Sequence, residues 1–201
     1  MAVVLRIDTS VNGDNSKSLQ LSSKLVDRIV AADPATDVVV RNVNDHSIPA
    51  LNGEIVGAYF TPAENRSEDQ KKIIAASDML VAELFAADTL VIGVPMYNFS
   101  IPSRLKVWVD LVARAGVTFQ YTENGPKGLI EGKKAYLVVS TGGVPVNSPA
   151  DFATPYMKQF LAFLGITDVT VIDASGFAVD ADAAMTKAVN AIETVALPNA
   201  A

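Results

Sequence analysis

At 201 residues, half of them hydrophobic, the chain suits one domain (residues 1–201) with a sizeable core and is too apolar for a disordered segment. The formal net charge of −6 argues against nucleic acid as a partner, which needs a basic footprint, and the absence of cysteine excludes disulfides, thiolate catalysis and thiolate metal sites. No apolar run approaches the roughly 18 residues that cross a bilayer, and the short apolar start MAVVLRIDTS runs straight into a turn, so the expectation is a cytoplasmic protein without a membrane partner.

In chain order, Val3–Asp8 reads as a first strand. The polar loop from Thr9 to Ser18 follows, and Leu21, Leu25 and Ile29 then mark a helix stripe. A helix N-terminus carries unpaired N–H groups and partial positive charge, and the hydroxyls of Ser10, Ser16 and Ser18 add donors, so this loop has the makings of a phosphate cradle. It lacks both the G-x-G-x-x-G fingerprint and a P-loop ending in Gly-Lys-Ser/Thr, which disfavours dinucleotide binding of the Rossmann type. An ordinary capped loop that binds nothing has the same composition.

Asp37–Val43 is a second strand, and residues 44 to about 66 form a long excursion without clean periodicity, either a segment that covers a site or, equally, a solvated excursion with a short helix. His46, the only histidine, has no nucleophile or ligand partner nearby and is read as a plain loop residue, leaving no triad and no metal site. Thr61–Glu64 and Ser67–Gln70 both have capping-box spacing, and Ile73, Ile74, Leu80, Val81 and Leu84 predict a long helix ending near Ala87.

Leu90–Val94 is a buried strand ended by Pro95. Met96, Tyr97, Asn98 and Phe99 then place flat side chains and an amide on a loop, Ser100 and Pro102 look like a helix start, and Leu105, Trp108, Val109 and Val112 give its stripe. Gly116–Gly132 is a loop or hairpin carrying Phe119 and Tyr121, which either pack inward or wall a pocket. Ala135–Val139 is a strand running into Ser140, Thr141, Gly142 and Gly143, where paired glycines allow a close approach of backbone to a ligand. Ser148–Asp151 opens a helix with the stripe Phe152, Tyr156, Phe160 and Leu164, capped by Gly165. Phe163 falls off that stripe and suggests an exposed aromatic or a subunit contact. Val169–Ile172 and a helix through Met185, Ala188, Val189, Ile192 and Val195 complete the chain.

Five strands alternating with helices predict an α/β three-layer sandwich, a parallel sheet with helices on both faces, in the flavodoxin-like order 2-1-3-4-5. In that order the loops after strands one, three and four meet at one edge. A hydroxyl-rich cradle, an aromatic and amide loop and a Gly-Gly loop together suit a planar heterocycle carrying one phosphate, which points to FMN.

The chain also resembles the FMN-dependent NADH-azoreductases, within the flavodoxin-like NAD(P)H:quinone reductases. The resemblance is carried by Pro95–Phe99, Asp110–Phe119, Tyr121–Pro126, Gly132–Ala135, Ser140–Gly143 and Thr154–Tyr156, and it spans essentially the full length. It implies that Ser10, Ser16, Lys17 and Ser18 contact the flavin phosphate and ribityl chain, and that Met96, Tyr97, Asn98, Phe99, Ser140, Thr141, Gly142 and Gly143 contact the ring and ribityl chain. It places Phe60, Tyr121 and Phe163 on the substrate cavity, and it implies a homodimer with the flavin near the interface. The implied reaction is ping-pong: NADH gives a hydride to flavin N5 and leaves, and an azo compound or quinone then takes two electrons at the same stacking surface. The cofactor carries that chemistry, so no catalytic side chain is expected, and backbone N–H groups near Gly142 and Gly143 would stabilise negative charge on the reduced ring. The rival expectation is a flavodoxin-type electron carrier without substrate turnover of its own.

Overall fold

A computed structural model describes residues 1–45 and 48–197; His46, whose reading as a loop residue is given above, lies outside the described residues. Five parallel strands form the sheet: β1 (Val3–Asp8), β2 (Asp37–Asn42), β3 (Thr89–Pro95), β6 (Lys134–Thr141) and β7 (Asp168–Ser175), in the order β2-β1-β3-β6-β7. The remaining strands, β4 (Phe119–Thr122) and β5 (Gly125–Gly128), make a separate antiparallel hairpin. Setting the hairpin aside, the order is the expected 2-1-3-4-5, so β1, β3 and β6 sit side by side at the centre.

Helices cover both faces. On one side α1 (Lys17–Ala32) and α6 (Ala181–Thr194) bury Leu21, Leu25, Ile29, Ala188 and Ile192 against Val4, Val91, Tyr136 and Val138. On the other, α2 (Gly53–Phe60), α3 (Glu68–Ala86), α4 (Ser103–Val112) and α5 (Ala153–Leu164) pack over Leu5, Ile7, Leu90, Ile92, Leu137 and Val139. The alternation along each strand divides its side chains between these two cores. Trp108 of α4, fully buried, meets Phe160 of α5 edge-on with ring centroids 6.0 Å apart.

Local signals set several boundaries. Ser67 and Gln70 form a reciprocal capping box at the start of α3, and Gly165 ends α5 with φ 103°, a left-handed value that glycine adopts at little cost. Gly93, buried in β3, lets α1 lie close to the sheet: a Cβ there would stand 3.2 Å from Ser22 Oγ.

Three local expectations fail. Thr61 caps no helix; its hydroxyl donates to the Gly57 carbonyl and accepts from Gln70 Nε2, because the chain makes only a single 3-10 turn at Ala63–Asn65. Ser100 is not a helix cap, since its backbone pairs with Tyr97 and α4 begins after Pro102. The buried stripe of α5 runs through Met157, Phe160, Leu161 and Leu164, whereas Phe152 precedes the helix and is 60% exposed.

Candidate functional site

At the carboxyl ends of β1, β3 and β6 the loops that follow these strands enclose one open cleft. Its lining combines Ser10, Asn12, Ser16 and Lys17 from the first loop with Pro95, Met96 and Tyr97 from the second. Ser140, Thr141 and Gly142 come from the third, and Phe177 from the turn after β7. Eight residues expected from the sequence therefore share this cleft: Ser10, Ser16, Lys17, Met96, Tyr97, Ser140, Thr141 and Gly142. Ser18 stands directly behind, its hydroxyl 3.1 Å from that of Ser16. Asn98 and Phe99 occupy the tip of the turn after Tyr97, and Gly143 continues the third loop.

Hydrogen bonds between the loops hold the cleft together. The Ser10 hydroxyl and the Tyr97 phenol are 3.1 Å apart, and the Val11 amide donates to the same phenol. Asn44 Nδ2 supports the first loop from outside by donating to the Ser10 carbonyl, and the Thr9 hydroxyl donates to the Gly93 carbonyl. Met96 donates its amide to the Ser140 carbonyl, which couples the second loop to the third. Gly176 and Phe177 donate to the Thr141 carbonyl and Ala178 to that of Gly142, which is how Phe177 reaches the cleft. Sequence reasoning missed Phe177 because this pairing joins segments about 35 residues apart, beyond any local pattern.

The first loop has the chemistry of an anion site. Ser16 is the N-cap of α1 and accepts from the Leu19 amide, while the first amides of the helix point outward with no helical partner. Ser16 and Ser18 are almost wholly buried, and Lys17 between them is exposed. Asp8, one strand residue before the loop, is withdrawn from it by a 3.0 Å ion pair with Arg6. Burial raises its carboxyl above the usual range, opposed by the Arg6 guanidinium.

The third loop has room for a flat ligand. Neither Gly142 nor Gly143 has a left-handed φ, and a Cβ at Gly143 would meet nothing within 4 Å, so the fold itself does not require glycine there. A group laid against that backbone would account for it.

The second loop is strained. Tyr97 and Ser100 exchange both backbone hydrogen bonds, and the residues between them, Asn98 and Phe99, have φ of 49° and 70°. Such a two-residue turn favours Asn-Gly, and a phenylalanine at its second position costs free energy. Phe99→Gly is therefore expected to stabilise the fold by up to about 1 kcal/mol, read as a rise in unfolding midpoint; a fall would show that the Phe99 ring repays the strain.

Asp151 closes the far side of the third loop. Its carboxylate accepts from the amides of Asn147, Ala153 and Thr154. Burial pushes this carboxyl upward, but donors on Thr154 and the amides of Asn147 and Ala153 outweigh it and hold the group below the usual range. A depressed carboxyl contributes stability that is present above its unfolded pKa and lost as pH falls through the lower folded value. The acid limb of the stability curve should therefore be steeper in the native protein than in Asp151→Asn; coincident limbs would refute this.

Phe60, Tyr121 and Phe163 do not line the cleft. Phe163 is neither free nor stripped of partners: its ring lies 4.4 Å from that of Phe119, which in turn meets Tyr121 edge-on at 5.6 Å. Phe163 is not a free, exposed aromatic because the β4–β5 hairpin, distant in sequence, folds over this side of α5. Phe119 thus packs inward while Tyr121, on the same strand, is 76% exposed. Phe60 is exposed at the end of α2.

A parallel sheet wrapped on both faces, with a loop-built cleft at the carboxyl ends of its central strands, defines a flavodoxin-like α/β protein. The chain belongs to the family described as flavodoxin-like fold, whose family model matches residues 2–196. FMN-dependent NADH:quinone oxidoreductase 1 of Jannaschia sp. (strain CCS1) is 50% identical over 196 residues, covering 98% of this chain and 100% of the relative. The protein of that name from Hahella chejuensis (strain KCTC 2396) is 49% identical over 185 residues, covering 92% and 90%. The crystal structure of an FMN-dependent NADH-azoreductase from Bacillus anthracis str. Ames Ancestor in complex with FMN matches with a TM-score of 0.87 at 25% identity over 96% of both chains.

Proposed function

We propose that this chain is an FMN-dependent NADH oxidoreductase that reduces quinones and azo compounds. The reading is supported above all by one observation: the hydroxyl-rich, aromatic and Gly-Gly loops, far apart in sequence, share a single cleft. Its lining fits the cofactor. Ser10, Ser16, Lys17, Ser18 and the first amides of α1 would hold a phosphate, and the aromatic and Gly-Gly loops would take the ring system. FMN, when bound, supplies the hydride chemistry, accepting two electrons from NADH and passing them to the acceptor.

The chain's own residues bind and orient. Turn 97–100 presents flat and amide groups, and the amides around Gly142 and Gly143 would stabilise negative charge on the ring. No nucleophile or acid–base pair is assigned, so specificity falls to the walls of the substrate space. Phe60, Tyr121 and Phe163 are proposed for these walls. Since none of them lines the cleft of its own chain, they would reach a site through a second copy. Five large exposed aromatics among the described residues, Phe60, Phe85, Phe99, Tyr121 and Phe152, favour such a homodimer. We place it in the cytoplasm, as one flavin-binding domain over residues 1–201; no described helix is long and apolar enough to cross a membrane.

The test is steady NADH oxidation by the flavin-loaded protein with a quinone or an azo dye as acceptor. Parallel lines in double-reciprocal initial-rate plots are expected. Intersecting lines would contradict the shared stacking surface, and flavin binding without turnover would make the protein an electron carrier.

A further inference from the structure

Asp151 does more than cap a helix. By backbone geometry the N-cap of α5 is Phe152, which makes no side-chain cap bond. Asp151, one residue earlier and buried, supplies the cap instead: Oδ1 accepts from the amides of Ala153 at 3.0 Å and Thr154 at 2.9 Å. That task needs only one oxygen. The other, Oδ2, accepts from the Asn147 amide at 2.8 Å, where the chain turns through a left-handed φ of 64° that asparagine tolerates better than other side-chain-bearing residues. One carboxylate thus joins the start of α5 to the loop descending from Gly142 and Gly143. Between the two ends of this clamp, the Phe152 amide donates to the Phe99 carbonyl at 3.0 Å. Phe99 is the strained residue of the second loop, and strained conformations persist only where their surroundings over-determine them.

We propose that Asp151 is a positioning residue for the flavin ring: it fixes the start of α5 so that the Phe152 amide latches the Phe99 carbonyl and holds turn 97–100 in its strained form. The proposal rests on the reading that this turn and the Gly-Gly loop face the ring. It adds a distinction between the two ends of the cofactor. The latch touches only the ring-side loops, so breaking it weakens every flavin alike, whereas damage to the first loop weakens only a flavin that carries phosphate.

The test compares FMN with riboflavin, which lacks the phosphate, on full-length protein freed of flavin. Dissociation constants, the absorption spectrum of the bound flavin and the unfolding midpoint are measured for Asp151→Ala, Asp151→Asn and Phe152→Pro. Phe152→Pro removes the latching amide at a position where a proline costs no helical bond, and Phe152→Ala serves as its reference because it loses the ring but keeps the amide. Asp151→Asn keeps Oδ1 on α5 and turns a donor toward the Asn147 amide, so it breaks only the loop side of the clamp. Asp151→Ala and Phe152→Pro are expected to weaken FMN and riboflavin by the same factor, about tenfold, with a shifted bound-flavin spectrum, and Asp151→Asn by a smaller equal factor. Should Asp151→Ala fail to fold, Phe152→Pro against Phe152→Ala decides the matter. Unchanged affinities and spectrum in the folded variants would overturn the latch while leaving the FMN reading intact, as would a loss confined to FMN. Failure of the unaltered protein to bind FMN would overturn the reading and the latch with it.

Discussion

Gly128→Ala is expected to destabilise the protein by about 2–3 kcal/mol, at the upper end of what overpacking costs. The new Cβ would lie 2.1 Å from the Gly165 nitrogen and from the Leu164 carbonyl carbon, and 2.4 Å from the Leu164 oxygen. These are backbone atoms at the end of α5, and no rotamer change can move them aside. The two segments already approach closely on the other side: a Cβ added at Gly165 would stand only 2.7 Å from the Ile130 carbonyl oxygen, so little slack remains to absorb the new atom. The hairpin must therefore lift away from the helix. Lifting it strains the bond from the Ile130 amide to the Leu164 carbonyl and parts the Phe119 and Phe163 rings. For a chain of this size the loss corresponds to a fall of roughly 5–10 °C in unfolding midpoint. Gly57→Ala is the control: it lies in α2 with nothing within 4 Å of the added Cβ, and helix propensity makes it neutral to stabilising. Equal midpoints for the two variants would refute the docking of the hairpin on α5. Because Tyr121 rides on this hairpin, Gly128→Ala should also raise KM for the electron acceptor while flavin affinity changes little.

The second large effect is expected at the first loop, where the phosphate is proposed to bind. Ser16→Ala should weaken FMN binding by about 10- to 100-fold, the loss of a hydrogen bond to a charged group, and leave riboflavin binding nearly unchanged. Ser16 is 2% exposed, and its hydroxyl is shared between the Leu19 amide and the Ser18 hydroxyl, so it is held ready for an anion. Loss of the cap also costs about 1 kcal/mol of stability, too little to unfold a domain and separable from binding by working well below the midpoint. Equal losses for FMN and riboflavin would mean that the first loop does not hold the phosphate.

The parts of this fold that were readable in advance are those written in short stretches of chain. Val3–Asp8 is a strand because of its apolar, β-branched run, Ser67 and Gln70 cap α3 because both partners lie within one turn, and Gly165 ends α5 because glycine takes its φ cheaply. The convergence of three loops was readable too, since a parallel sheet leaves few strand orders and puts those loops on one edge. What escaped depends on contacts between distant segments. Phe163 looked unpartnered until the hairpin supplied Phe119, Phe177 reaches the cleft only through its pairing with Thr141, and Ser100 was diverted from capping by the tight turn back to Tyr97. Asp151 was visible as part of a helix start, but nothing in its neighbourhood announced that its carboxylate ties the start of α5 to the loop after β6, or that the next amide, of Phe152, reaches the Phe99 carbonyl.

A crystal structure of the protein grown with FMN tests the central claim most directly. The account predicts the phosphate against Ser10, Ser16 and Ser18 at the start of α1, with the ring system between residues 96–99 and 140–143. Density for FMN at any other edge of the sheet, or with its phosphate at the ring-side loops, would contradict it.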